Sequence, residues 1–148
     1  MKSKISSSNE TVIANLNALL RGELSAVETY NQAIKHLAKD PINDLTVNRD
    51  CHSKRVDVLK DNIVQQGGTP DSTSGMWGNF AKLVESGASL ISTKTVIAAL
   101  EEGEDHGLAQ YRNPGDLDPS SILLIQTVLL PQQQKTHERM RNIKLSKA

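Results

Sequence analysis

Apolar side chains recur every three or four residues along four stretches of the chain. The first stretch has Val12, Leu16, Leu19, Val27, Tyr30, Ile34 and Leu37, and the second has Leu45, Val56, Leu59 and Ile63. The third has Ile97, Leu100, Leu108 and Tyr111, and the fourth runs from Asp118-Pro119 towards the C-terminus. This spacing is typical of one buried helix face, and no stretch alternates with the period of a β-strand. The pattern predicts an all-α protein with four long helices.

The lengths of the connections predict how these helices pack. The first and second helices, and the third and fourth, are separated by only a few residues, so each pair should form an antiparallel hairpin. The connection between the hairpins, residues 67–91, can travel the length of a helical bundle and contains an amphipathic piece, MWGNFAKLVES. The prediction is a ferritin-like four-helix bundle, with a long crossover that contains a short helix. We expect one domain over residues 1–148, with the bundle at about 9–145 and frayed termini.

Composition and charge limit the possible functions. Lysine plus arginine and aspartate plus glutamate both total 17, so no overall positive charge favours nucleic acid. Cys51 is the only cysteine, which excludes an internal disulfide. The opening MKSKISSSNE has no apolar core of a signal peptide, and the run ILLIQTVLLP is too short to cross a membrane. We expect a cytoplasmic protein without nucleic-acid or membrane partners.

Polar side chains occupy gaps in all four apolar faces. Glu23 lies between Leu19 and Val27, and Glu104 lies between Leu100 and Leu108. By the same spacing the inward set also includes Arg49, His52, Glu101, Gln134 and His137. Burying an unpaired charge costs several kcal/mol, so these groups must bind one another, water or a metal. The periodicity therefore predicts a polar centre in the bundle.

Three segments of the sequence carry a resemblance to known families. LNALLRGELSAVETYNQAI, from Leu16, resembles the first helix of bacterioferritins and other ferritin-like carboxylate proteins, a class that includes rubrerythrins. HSKRVDVLKDNIVQQGGTP and ALEEGEDHGLAQY resemble a bacterial family of small ferritin-like four-helix bundles of unassigned function. The second resemblance extends from about Thr11 to Ile143 and implies the same fold.

The resemblance also implies a comparison with ferritin-like di-iron sites, which take one glutamate from each of two helices and a Glu-x-x-His pair from each of the others. Glu23 and Glu104 match the single glutamates, and His52 and His137 match the histidines. The two remaining glutamates are replaced by Arg49 and Gln134, so both bridging carboxylates are missing. Because two divalent ions bring four positive charges, this ligand set disfavours a di-iron centre.

Two interpretations of the polar centre remain open. In one, Arg49 takes the place of the ion and joins Gln134 in an ionic network that aligns the helices. In the other, Glu23, His52, Glu104 and His137, with Glu101 as a secondary ligand, bind a single iron or zinc ion. The hydroxyl groups of Tyr30 and Tyr111 are expected to reach nearby carboxylates.

These interpretations define three classes of function. The leading class is a non-catalytic or stress-related ferritin-like bundle, whose core is ionic or holds one metal. The alternative is a di-iron or peroxide-handling protein of the rubrerythrin or bacterioferritin kind. The third is a structural module that assembles as a homo-oligomer such as a dimer. We expect a protein that is not an enzyme, and the sequence names no substrate.

Overall fold

The computed structural model describes residues 7–37, 41–87 and 92–146, and within these ranges the chain is helical without a strand. The helices are α1 (Ser7–His36), α2 (Ile42–Gln65), α3 (Gly78–Glu85), α4 (Thr93–Arg112), α5 (Pro119–Leu124) and α6 (Leu130–Ser146), with a π-helical turn, Ile125–Leu129, between the last two. The prediction of an all-α protein is confirmed. The predicted frayed termini lie largely outside the described residues.

Several helices begin or end at the side-chain caps and turns that the sequence predicts. The Ser92 hydroxyl accepts a hydrogen bond from the Thr95 N–H at the start of α4, and the Asp118 carboxylate accepts one from the Ser121 N–H at the start of α5. Both contacts satisfy an N–H group that has no partner within the helix. α2 ends at a turn in which Gly67 has φ +85°, a conformation that glycine adopts without strain.

The helices pack as antiparallel neighbours. Along α1 and α2, Asn9 contacts Gln66 while Tyr30 contacts Asn48, so the two helices run in opposite directions. α4 and α6 are also antiparallel, because Glu101 contacts Lys144 while Asp105 contacts His137. α1 also packs against α4, and α2 packs against α6. The two hairpins therefore face each other, and their inner faces form the core.

Two apolar clusters occupy the two ends of this core. One includes Leu37, Leu45, Phe80, Val96, Ile97, Leu100, Met140 and Ile143. The other includes Val12, Leu16, Leu20, Leu59, Ile63, Ile125 and Leu129. Glu23, His52, Glu104 and Thr136 lie between them in sequence on the four long helices, and each is buried. The polar centre is thus closed from solvent at both ends by apolar packing.

The π-helical turn changes which residues of the last helix face inward. The Leu130 N–H donates to the Ile125 carbonyl, five residues earlier, which widens the turn immediately before Pro131. The buried positions run Ser121, Ile125, Leu129 and Gln133 in steps of four, followed by Thr136, Met140 and Ile143. Successive steps of four drift around the axis of an ordinary α-helix, and a wider turn reduces this drift. The inward face of α6 is therefore displaced from the one predicted.

The crossover between the hairpins packs on the bundle through its aromatic residues. Phe80 of α3 is fully buried in the first apolar cluster, and Trp77 packs against the same cluster. The short helix predicted in MWGNFAKLVES is α3. No helix among the described residues is both long and apolar enough to cross a membrane.

Candidate functional site

Glu23 of α1 lies in the buried centre and accepts hydrogen bonds from three side chains. Its Oε1 is 2.5 Å from Nδ1 of His52, and its Oε2 accepts from Nε of Arg55 at 2.8 Å and from the Tyr111 hydroxyl at 2.5 Å. Burial raises the pKa of Glu23, but the positive charges of Arg55 and His52 outweigh this effect and hold the pKa at about 2. The carboxylate is therefore ionised at neutral pH.

Glu104 of α4 is the second buried carboxylate. Its Oε2 accepts from the Tyr30 hydroxyl at 2.5 Å and lies 2.7 Å from Nε2 of His52. Its Oε1 accepts from Nε2 of Gln133 at 2.9 Å and from the Thr136 hydroxyl at 2.8 Å. Burial raises the pKa of Glu104, yet the positive charge of His52 and these hydrogen bonds lower it below the ordinary value.

His52 lies between the two carboxylates and contacts one through each ring nitrogen. An ionised carboxylate only accepts hydrogen bonds, so a ring that donates to both carboxylates is an imidazolium. Burial lowers the pKa of His52, but the negative charges of Glu104 and Glu23 raise it by a larger amount. The net pKa is therefore raised. Since a metal ligand needs an unprotonated nitrogen, this arrangement does not present His52 as a ligand.

Arg55 supplies the second positive charge of the centre. Its side chain is fully buried, and its Nη2 donates to Oε1 of Gln133 at 2.8 Å and to Oγ1 of Thr136 at 3.3 Å. The same nitrogen lies 2.7 Å from Nδ1 and 3.3 Å from Nε2 of His52, so the guanidinium lies against the imidazole ring. Two carboxylates, one guanidinium and one imidazolium bring the formal charge of the centre to zero.

A further layer of hydrogen bonds ties this centre to α2 and α6. Nδ2 of Asn48 donates to the Tyr30 hydroxyl and to the Thr136 carbonyl, both at 3.0 Å. Oδ1 of Asn48 accepts from Nη1 of Arg139 at 2.9 Å. All four long helices therefore contribute to one continuous network.

The structure brings together three of the four predicted metal ligands. Glu23, His52 and Glu104 meet in the centre, but the imidazole ring lies between the two carboxylates. His137 lies elsewhere, on the side of α6 that contacts Asp105 of α4. The hydroxyls of Tyr30 and Tyr111 reach the two carboxylates, as predicted.

The assignment of Arg49 and Gln134 to the core network is wrong. Arg49 is partly exposed and bonds to Asn31 and the adjacent Asp50, and Gln134 is exposed. Their places are taken by Arg55 and Gln133. On α2 the buried face includes Asn48, three residues after Leu45, which bonds to α6, whereas Arg49, one residue further, bonds to Asn31 of α1. On α6 the π-helical turn displaces the inward face from Gln134 to Gln133.

His137 and Glu101 form a separate cluster with Asp105 at the edge between α4 and α6. One ligand atom from each residue lies within 4.8 Å of the other two. Nε2 of His137 contacts Asp105 directly and lies 3.8 Å from Oε2 of Glu101. Nζ of Lys144 binds Oε1 of Glu101 at 3.2 Å. Asp105 is exposed, so this cluster, unlike the centre, is open to solvent.

Fold and site together define an all-helical protein with a buried ionic centre. The chain belongs to the family described as "Domain of unknown function (DUF2383)", whose profile matches residues 11–114. No curated protein and no solved structure matches the chain. The matched region covers α1 from Thr11 onwards and the whole of α2, α3 and α4. It includes Glu23, His52, Arg55 and Glu104, while Gln133 and Thr136 lie beyond it.

Proposed function

We propose that this protein is a ferritin-like helical bundle without catalytic activity, in which an ionic network takes the place of a metal centre. The directions of the helices support the ferritin-like arrangement: α1 is antiparallel to α2 and to α4, and α6 is antiparallel to α4 and to α2. A chain with these directions needs a connection that returns along the bundle between α2 and α4. The crossover at residues 66–92 supplies that length.

The observation that carries the proposal is the guanidinium of Arg55 in the centre. It donates to Glu23 and Gln133 where a di-iron protein of this class would hold its ions. The residues present do not fit a metal pair: within residues 7–37, 41–87 and 92–146 only Glu23 and Glu104 are buried carboxylates, and two divalent ions beside Arg55 would leave a large uncompensated positive charge. The network is already neutral and its polar atoms are paired, so it fulfils the aligning role of a metal without one.

Metal content tests this proposal directly. Untagged protein purified without chelators should be analysed for metals, before and after anaerobic incubation with ferrous iron and removal of the excess. We expect less than one iron per chain and no change in thermal stability. Two irons per chain, lost when Glu23 or Glu104 is changed to alanine, would contradict the proposal and favour the di-iron alternative.

A second candidate function is the binding of a single zinc or ferrous ion at the α4–α6 edge. The observation that favours it is the convergence of Glu101, Asp105 and His137, because two carboxylates and one imidazole are a ligand set that both ions accept. The separation of Glu101 and Asp105 by one helical turn keeps both carboxylates on the same side of α4. Lys144 would have to release Glu101 when the ion binds.

Zinc titration of two histidine variants distinguishes this candidate. His137→Ala removes the imidazole of the cluster, whereas His106→Ala removes an exposed histidine of α4 that lies outside it. If the edge binds zinc, calorimetry should give one site in the parent and in His106→Ala but none in His137→Ala. Equal binding by the two variants would reject zinc binding at this edge.

Light scattering of the same samples tests the predicted homodimer. A monomeric mass at high concentration would contradict that prediction.

A further inference from the structure

The crossover segment that follows α2 is attached to one face of α1. We call residues 69–77 the strap. Its contacts are Asn17 Nδ2 to the Thr69 carbonyl (3.1 Å), the Asp71 N–H to Asn17 Oδ1 (2.8 Å), Arg21 Nη1 to Asp71 Oδ2 (2.6 Å), Ser25 Oγ to Ser74 Oγ (2.6 Å) and the Trp77 N–H to Thr29 Oγ1 (2.9 Å). The four α1 residues recur every fourth position, which keeps them on one side of the helix. The strap therefore follows α1 towards the level of the ionic centre.

Trp77, at the end of the strap, fits into a notch in α4. The notch exists because residue 103 is a glycine: a Cβ at this position would lie 2.0 Å from Cε3 of the Trp77 indole. The indole also meets the rings of Tyr30 and His52 edge-on, with centroid distances of 5.9 and 6.2 Å. Trp77 therefore covers the side of the ionic centre on which the His52 ring lies.

The indole separates two spaces of different size. On its outer side is an open depression of about 400 Å³, lined by Ser25, Glu102, Gly103 and His106 among others. On its inner side is a small cavity of about 10 Å³, bounded by Glu23, His52, Gln133 and the glycines Gly22 and Gly107. A cavity of this size has room for about one water molecule. Trp77 is a wall of both spaces.

The strap is held by contacts that are weak compared with the core. None of its residues is buried, and its ion pair, between Arg21 and Asp71, has side chains that are 51% and 37% exposed. Exposed ion pairs contribute little to stability, and segments with few buried contacts open at lower free energy than the whole fold. The strap can therefore separate from α1 while the helices remain packed.

We propose that the strap is a gate, and that Trp77 leaves the Gly103 notch when it opens and admits water to the Glu23–His52 pair. This inference goes beyond the proposed function and does not depend on whether any metal binds. The gate would set the rate at which the buried His52 exchanges protons with the surrounding solution.

Gly103→Ala is the variant that tests the gate. The added methyl group occupies the place of the indole while favouring the helical conformation of α4, so Trp77 is displaced. Gly78→Ala is the matched control, because Gly78 is exposed at the start of α3 and an added Cβ would have no neighbour within 4 Å. Trp77 is the only tryptophan of the chain, so fluorescence quenching by acrylamide reports its exposure without ambiguity.

The decisive readout is the exchange of the imidazole C2 hydrogen of His52 with deuterium, followed by mass spectrometry. We expect this exchange to accelerate by about tenfold in Gly103→Ala, with stronger quenching of Trp77, and to stay close to the parent rate in Gly78→Ala. The exchange of exposed His106 should be the same in all three proteins. If Gly103→Ala exposes Trp77 but leaves the His52 exchange unchanged, the gate proposal is wrong.

A disulfide between Ser25→Cys and Ser74→Cys, in a Cys51→Ser background, gives an independent test. The two hydroxyl oxygens lie 2.6 Å apart, so the new thiols should bond under oxidising conditions and fasten the strap to α1. Oxidised protein should exchange the His52 hydrogen more slowly than the same protein after reduction. Equal rates in the two states would overturn the proposal even if Gly103→Ala fails to fold.

Discussion

The guanidinium of Arg55 donates from Nε to Oε2 of Glu23 across 2.8 Å, and this ion pair joins α2 to α1 at the centre of the bundle. The Arg55 side chain is 0% exposed and that of Glu23 is 4% exposed, so neither charge has water to replace its partner. Removing one member of a buried ion pair leaves an uncompensated charge, whereas replacing both with apolar groups can be nearly neutral. The contribution of each residue to stability therefore depends on the presence of the other.

Arg55→Met should lower the free energy of unfolding by about 3–5 kcal/mol, because it leaves the Glu23 carboxylate buried beside fewer positive charges. Urea denaturation followed by circular dichroism at neutral pH measures this loss. The double variant Arg55→Met/Glu23→Met should lose less than the sum of the two single variants, with a coupling of about 0.5–3 kcal/mol. Additive losses would show that the two residues do not interact as the structure indicates.

His52 should make the protein less stable as the pH rises. Its folded-state pKa is raised above the ordinary 6.5, so its contribution to stability is fully present below pH 6.5 and is lost as the pH rises through the folded-state value. Urea denaturation between pH 6 and pH 9 should therefore show a decline in the parent that is smaller in His52→Gln. An identical slope in both proteins would show that the ring is not protonated in the fold.

Glu23 should govern part of the acid limit. Its pKa falls from 4.5 to about 2 on folding, so the stability that it contributes is present above pH 4.5 and is lost between pH 4.5 and about 2. Glu23→Gln removes this titration and should flatten the fall of the unfolding free energy in that window, although the variant is less stable at neutral pH. Glu10→Gln, at an exposed acidic position of α1, is the control and should retain the slope of the parent.

Tyr111→Phe should lower the unfolding free energy by about 1.5–3 kcal/mol, because it removes a hydrogen bond to an ionised carboxylate and leaves Oε2 of Glu23 with Arg55 alone. The aromatic ring and its packing remain, so the loss reports the hydroxyl. Thermal and urea denaturation at neutral pH provide the measurement. A change within the error of the experiment would mean that the hydroxyl does not reach Glu23.

Arg49→Ala and Gln134→Ala should each change the unfolding free energy by no more than about 0.5 kcal/mol, since the altered side chains lie at the surface. Gln133→Ala should lower the unfolding free energy by more than Gln134→Ala does, because Gln133 is buried and bonds to both Arg55 and Glu104. A larger loss for Gln134→Ala than for Gln133→Ala would mean that the inward face of α6 is the one predicted from its spacing rather than the one observed.

Local sequence signals were sufficient to predict the helices and much of the candidate site. The caps at Ser92 and Asp118 depend on residues adjacent to the helix ends, so they could be recognised without knowledge of the fold. Glu23 and Glu104 stand alone between apolar neighbours three or four residues away, and both are buried. His52 was found for the same reason. The periodicity does not identify Arg55, because the adjacent Val56 already supplies the inward residue expected in that turn of α2.

The amino-acid sequence alone specifies helices, their ends and the presence of polar groups on their inner faces, because these depend on contacts within a few turns of the chain. Packing decides the remaining assignments. Positions three and four residues after Leu45 both lie on a helical face, and only the placement of α6 selects Asn48 over Arg49. Likewise, the π-helical turn before Pro131 displaces the inward face of α6, so Gln133 reaches Arg55 while His137 remains at the edge. The first choice depends on contact with a helix distant in the chain and the second on a break in the regular helical period, so the period of an α-helix predicts neither.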